Sequence, residues 1–161
     1  DKAVKYLKNK GHKRIGFIKG NMLTRSARVR YEGFIEAMRK HGIDLDPSYH
    51  IEGEFSAAIA YSEMKKAILK GDLPDAFISS NDYMAVEVIK ALKEEGIRVP
   101  EDVAIIGFDN VHMSEQVSPS LTTLEPKFYE MAKQAIELLD YRLNSPETPI
   151  QQVYEFSVDN G

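Results

Sequence analysis

An α/β fold, a parallel sheet flanked by helices on both faces, is what this sequence predicts, and three observations predict it. Four short apolar runs alternate with stretches of helical periodicity; Gly42, Gly71 and Gly96 stand where helix-closing glycines belong; and no Asn-Gly or similar turn joins neighbouring apolar runs into a hairpin. Asp1 to Lys10 opens as a charged amphipathic helix with Ala3, Val4 and Leu7 on one side, and Arg14 to Lys19 is a buried strand between Gly11 and Gly20. From Arg25 to His41 the residues Ala27, Tyr31, Phe34, Ile35 and Met38 repeat on one helical face. Tyr49 to Phe55 is a weak strand interrupted by Gly53, and the helix after it starts at Ser56, a good N-cap, with Ala57, Tyr61, Met64 and Ile68 inward. Ala76 to Ile78 is a third strand, Asn81 to Glu95 a helix burying Met84, Val88, Ala91 and Leu92, and Val103 to Ile106 a fourth strand. Beyond Gly107 the rhythm breaks: Phe108 to Ser120 is polar and irregular, and Leu121 to Leu124 is β-prone. A helix runs from Phe128 to Leu143, and Val153 to Val158 alternates as a last strand.

Composition narrows the function. The 161 residues carry 21 Lys and Arg against 25 Asp and Glu, a net charge of −4, so this chain has no general attraction for a polyanion. There is no cysteine, which removes disulfides, thiolate metal sites and cysteine nucleophiles, and no apolar run approaches the roughly 20 residues that span a bilayer. The segment after the first strand, Gly20-Asn21-Met22-Leu23-Thr24-Arg25, is neither a dinucleotide fingerprint nor a phosphate-binding lysine loop, and no G-x-S-x-G elbow exists. His12, His41, His50 and His112 form no i, i+4 pair, so neither a metal nor any other cofactor is expected, and no enzyme reading has a nucleophile to rest on.

A binding cleft remains. In open parallel sheets ligands sit beyond the carboxyl ends of the strands, and the loops there hold Gly20 to Arg30, Phe55 and Ser56, Ser79 to Asp82, and Gly107 to Asn110. Arg30 flanks the apolar stripe of its helix and is either a fork donor at the loop mouth or a surface arginine; Arg28 lies on the opposite flank, toward solvent. N-capping by itself explains Asn81, an Asx turn accounts for Asp109, and Phe55 reads as a core residue before a stacking platform. Together they supply a fork donor, an amide, a carboxylate and an aromatic face, the set that holds a polyhydroxylated ring.

Val99 to Asn110 (VPEDVAIIGFDN) followed by Ser118 to Leu124 (SPSLTTL) resembles the signature of LacI/GalR family transcription regulators. Supporting blocks are Gly11 to Ile18, Arg28 to Phe34, Gly53 to Phe55 and Ser80 to Ala85, in family order over nearly the whole chain. The resemblance implies a periplasmic-binding-protein-like effector core of two subdomains, with a small-molecule effector, first of all a sugar or else a nucleobase, in the cleft. It further implies a cytoplasmic homodimeric repressor that reaches operator DNA through an N-terminal helix-turn-helix domain, without enzymatic activity or membrane contact. Motif by motif, Arg30, Phe55, Asn81 and Asp109 fall on effector ligands, Phe128 on an aromatic near the hinge, and Thr24 and Ser26 on a contributing loop. Leu124 to Lys127 departs from the pattern, since many relatives carry Gln near Pro126.

By the same resemblance residues 1–120 are the C-terminal subdomain, 121–147 a crossover strand and helix that pack on an N-terminal subdomain outside this sequence, and 148–161 a returning strand. The stripe of Phe128, Met131, Ala135 and Leu138 is then expected to seek a partner surface. An exported sugar-binding protein of a transport system shares the architecture and is the alternative.

Overall fold

The computed structural model describes residues 1–145, which divide into two compact units, Asp1–Leu124 and a second beginning at Glu125. The expected strand Val153 to Val158 lies outside the described residues. Five strands, β1 (Ile15–Lys19), β2 (His50–Glu52), β3 (Ala76–Ser79), β4 (Ala104–Phe108) and β5 (Thr122–Leu124), form one sheet in the order β2-β1-β3-β4-β5. Every pairing is parallel, with Ile15 beside Ala76, Ala76 beside Ala104 and Ile106 beside Thr122. The β-prone Leu121 to Leu124 is therefore the fifth strand of the same sheet.

Strand alternation assigns the two faces. Ile15, Phe17, Ala76, Ile78, Ala104 and Ile106 pack with α1 (Lys2–Asn9) and α2 (Arg25–Lys40), through Val4, Leu7, Phe34 and Met38. Ile18, Phe77 and Ile105 point the other way, against α3 (Ala57–Lys70) and α4 (Asp82–Glu94), through Met64, Met84, Val88 and Leu92. Gly16 admits the Phe77 ring: a Cβ there would sit 2.5 Å from Phe77 Cε1. Helix ends follow local chemistry. Thr24, Ser56 and Asn81 cap α2, α3 and α4 by accepting from Ala27, Ile59 and Met84 N–H, and Gly71 closes α3 with φ +79°.

Two expectations need correction. The strand expected over Tyr49 to Phe55 is only His50–Glu52, because Asp46 caps a 3₁₀ turn at Pro47–Tyr49, taking Ser48 N–H at 2.8 Å and its hydroxyl at 2.6 Å. The irregular stretch after Phe108 contains a short helix, α5 (Met113–Gln116), whose Ser114 is buried. In the second unit α6 (Phe128–Asn144) buries no residue. No helix among the described residues is long and apolar enough to cross a membrane.

Candidate functional site

The chain passes from β1 to β2 on one side and then crosses β1 to lay β3 on the other, so the order reverses between β1 and β3. Loops diverge at such a point and leave a crevice at the carboxyl ends of the strands. Ser80, immediately after β3, marks it: its N–H donates to Ile18 O at 2.9 Å, and its hydroxyl accepts from Gly20 N–H at 3.1 Å.

Around Ser80 the sequence-predicted residues meet. Arg30 reaches from α2 and donates through Nη1 to the Ser80 carbonyl and through Nη2 to Asp109 Oδ1 at 3.3 Å. Its guanidinium also lies over the Phe108 ring, 4.0 Å from the centroid, which fixes the plane of the fork. Phe55 packs over Gly20, whose N–H bonds the Ser80 hydroxyl: a Cβ on Gly20 would stand 2.2 Å from Phe55 Cζ, so Gly20 is what lets the ring lie down there. Asn81 follows Ser80 directly, and its Oδ1 takes Met84 N–H at 3.0 Å. Arg30 and Asp109, remote in sequence, thus meet beside Ser80, and their side chains keep 27% and 26% of their surface open to solvent. Arg28, by contrast, is spent on Met22 and Leu23 carbonyls at the surface.

Thr24 and Ser26 are exposed at the start of α2, where Thr24 caps the helix, donates to Asn21 O at 2.7 Å and lies 3.4 Å from Ser26 Oγ. The bonds they make are with each other and with their own loop. Phe128 belongs to the second unit, where it opens α6 and is 53% exposed.

Electrostatics and backbone geometry both mark this rim. Burial pushes the Asp109 carboxyl above its ordinary value, Arg30 pulls it back, and the neighbouring Asp82 adds to the push. Glu54, Phe55, Asp109 and Asn110 are the non-glycine residues with positive φ among the described residues, at 55°, 56°, 109° and 52°. Beside Arg30 a hollow of about 150 Å³ is lined in part by Phe17, Val29, Phe34, Ser80, Phe108 and Leu124. Phe55, Asn81 and Asp109 do not line it, so it flanks the rim on the α2 side.

Three participants were not singled out in the sequence. Phe108 reads there as the start of an irregular segment, and Ser80 as one of several loop hydroxyls. Asp82, read in the sequence only as part of the loop after the third strand, is fully buried at the first position of α4. Gly107 was the available signal, since a Cβ there would lie 2.0 Å from Asp82 Oδ1.

Comparison with known proteins bears on this geometry. A family described as periplasmic binding protein-like domain matches residues 4–158. The HTH-type transcriptional repressor PurR of Pasteurella multocida (strain Pm70) is 43% identical over 142 residues, covering 88% of this chain and 42% of the relative. PurR of Haemophilus influenzae (strain PittEE) is 39% identical over 150 residues, 93% of this chain and 45% of the relative. Among solved structures, a sugar-binding transcriptional regulator (LacI family) from Escherichia coli complexed with phosphate superposes with a TM-score of 0.84 at 30% identity, covering 94% of this chain and 54% of that one. The chain spans about half the length of the proteins it matches.

Proposed function

This chain belongs to the periplasmic binding protein-like domain family, in the form found in LacI/GalR-type regulators, and we propose that it is the effector-binding portion of a transcriptional repressor. The observation that supports this is the meeting of Arg30 with Ser80 and Asp109 at the switch point of the sheet, with Asn81 next to Ser80 in the chain and Phe55 over Gly20, whose N–H bonds the Ser80 hydroxyl. A guanidinium has five N–H donors, and the bonds to Ser80 and Asp109 leave others for ligand hydroxyls. Asp109 accepts, the Asn81 amide donates while its oxygen holds the cap, and Phe55 offers an apolar face. That set suits a small polar ring, a sugar in the first instance and a nucleobase in the second.

Effector binding regulates by differential affinity. A ligand held between this rim and a second subdomain favours the closed arrangement, and the closed and open arrangements differ in operator affinity. The intact protein on this reading is a cytoplasmic homodimer, non-enzymatic, with an N-terminal helix-turn-helix domain on DNA. Thr24, Ser26 and Phe128 are secondary contacts from the α2 loop and the crossover segment.

The test is a thermal-shift screen of monosaccharides, disaccharides, sugar phosphates and purines on the full-length product of the reading frame that encodes this chain. A ligand at about 100 times its Kd adds about 2.7 kcal/mol to native stability, so one class should raise Tm by several degrees, and Arg30→Met should abolish the rise. No rise with any class, or a rise that survives both Arg30→Met and Asp109→Asn, refutes the proposal. An export signal upstream, in place of a helix-turn-helix, would favour the transport-protein alternative.

A further inference from the structure

Among the described residues Asp82 is the only buried side chain of a charge-bearing type, 0% exposed at the first position of α4. Its carboxyl is filled from three places. Oδ2 accepts from Val111 N–H at 2.9 Å and from the Ser114 hydroxyl of α5 at 2.8 Å; Oδ1 accepts from the Thr123 hydroxyl of β5 at 2.6 Å. Thr123 Oγ1 in turn accepts from Asn110 N–H at 3.3 Å, and Asp109 N–H donates to Leu124 O at 2.9 Å. Three consecutive loop amides, Asp109 to Val111, are thereby taken by β5 and Asp82. Two of these loop residues, Asp109 and Asn110, hold left-handed backbone that the chain would otherwise relax.

We propose that Asp82 is a positioning residue for the effector site: it fastens the loop that presents Asp109 to β5, so that the ligand contact and the strand leading out of the sheet move as one body. This rests on the reading of Arg30 and Asp109 as the binding pair. A carboxylate suits the site because both oxygens accept; an asparagine could keep its oxygen on Val111 N–H and Ser114 only by turning its NH₂ toward Thr123, whose hydroxyl would then give up its donor role. Space requires aspartate rather than glutamate, since Gly107 already surrenders its Cβ to Oδ1.

The test uses this chain without ligand, so a failure to find an effector leaves it intact. Amide hydrogen exchange and the NMR titration of the Asp109 carboxyl are compared for wild type, Asp82→Asn, Thr123→Val and Ser114→Ala. In Asp82→Asn the amides of Asn110 and Val111 should exchange about tenfold faster or more beyond any change at the sheet amides of Phe77 and Ile105. Asp109 should titrate lower, because burial, the largest cause of its raised value, is relieved together with the push from Asp82, and these outweigh any loss of the opposing pull from Arg30. Thr123→Val keeps the volume and removes the hydroxyl, so it should reproduce the effect at Asn110 even if Asp82→Asn does not fold. Exchange that accelerates equally in loop and sheet, or not at all, or an unmoved Asp109 titration, would overturn the assignment and leave Asp82 an ordinary contributor to stability.

Discussion

Replacing Arg30 should cost far more stability than replacing Asp109, although the two form one ion pair. Unit charges about 4 Å apart attract by about 4 kcal/mol at an effective dielectric of about 20. Solvent reaches both partners, which keep 27% and 26% of their side-chain surface, and fully exposed pairs measure only about 0.2–1 kcal/mol; a coupling of about 1.5 kcal/mol is expected between these limits. Arg30→Met also loses a charged hydrogen bond to Ser80, worth about 1.5 kcal/mol, and the contact over Phe108, worth about 0.5–1 kcal/mol, while keeping most of the apolar stem. With non-additivity among these losses, about 3 kcal/mol in all is expected. Asp109→Asn gives up the pair but relieves the burial and repulsion that raise this carboxyl, so it should stay within about 1 kcal/mol of wild type. In the Arg30→Met background the same change should restore about 1 kcal/mol, because it removes a carboxylate left without its cation. Urea unfolding of the chain and the three variants at pH 7 measures the cycle. A coupling below about 0.5 kcal/mol, or an Asp109→Asn cost equal to that of Arg30→Met, would refute the reasoning.

Gly20→Ala drives a methyl into Phe55, so it should cost about 1–3 kcal/mol in urea unfolding and weaken the effector found by thermal shift, whereas Gly33→Ala, with open space at its Cβ, should be neutral or better. Thr24→Ala removes the cap of α2 and should cost about 1 kcal/mol by the same assay; no loss would mean that the hydroxyl has another task. The pH dependence has two opposed carboxylates. Burial raises Asp109, so the stability it contributes is complete below about pH 4 and lost as pH rises through its raised value; Asp109→Asn should lack that decline. Hydrogen bonds from Arg98 hold Asp102 at about 2, so its contribution is present above the ordinary carboxylate range and lost as pH falls toward that value; Asp102→Asn should flatten the acid limb. The apolar side chains of α6, with Ile136 67%, Leu139 60% and Leu143 72% exposed, should make the chain associate in sedimentation as concentration rises, and polar substitution of Ile136 and Leu139 should reduce it.

Much of the sheet was legible because burial on a single helical face or on alternate strand positions is written directly in apolar spacing. Met84, Val88, Ala91 and Leu92 were expected inside and all are buried. What could not be read is whatever depends on a partner far along the chain. Arg30 is one turn into a helix whichever way its fork points, and only the fold puts Asp109, 79 positions on, within 3.3 Å of it. Asp82 could not be read as buried because its donors, Val111, Ser114 and Thr123, lie 29 to 41 positions further along the chain. Tyr49 was misplaced for the opposite reason: the local Asp46–Ser48 turn overrode a β-prone run.

The distribution of backbone strain ties these observations to function. A non-glycine residue with positive φ costs of order 1–3 kcal/mol in sparsely populated regions, less for asparagine. Here such residues come as two adjacent pairs, Glu54-Phe55 and Asp109-Asn110, and each pair carries one member of the proposed rim. Helix capping does not require either pair, since Ser56 caps α3 from extended backbone and Gly71 closes it from the left-handed region. Core packing does not require Asp109, whose carboxyl is destabilised by its surroundings. Glycine at Glu54, Phe55 or Asp109 would relax these turns. On the proposed reading this strain serves to place Phe55 and Asp109 for ligand, and the buried Asp82 network offsets it at the second turn. Glu54→Gly should therefore stabilise the chain by about 1 kcal/mol, and effector affinity should fall as Phe55 gains freedom; an increase in both would separate the strain from the site.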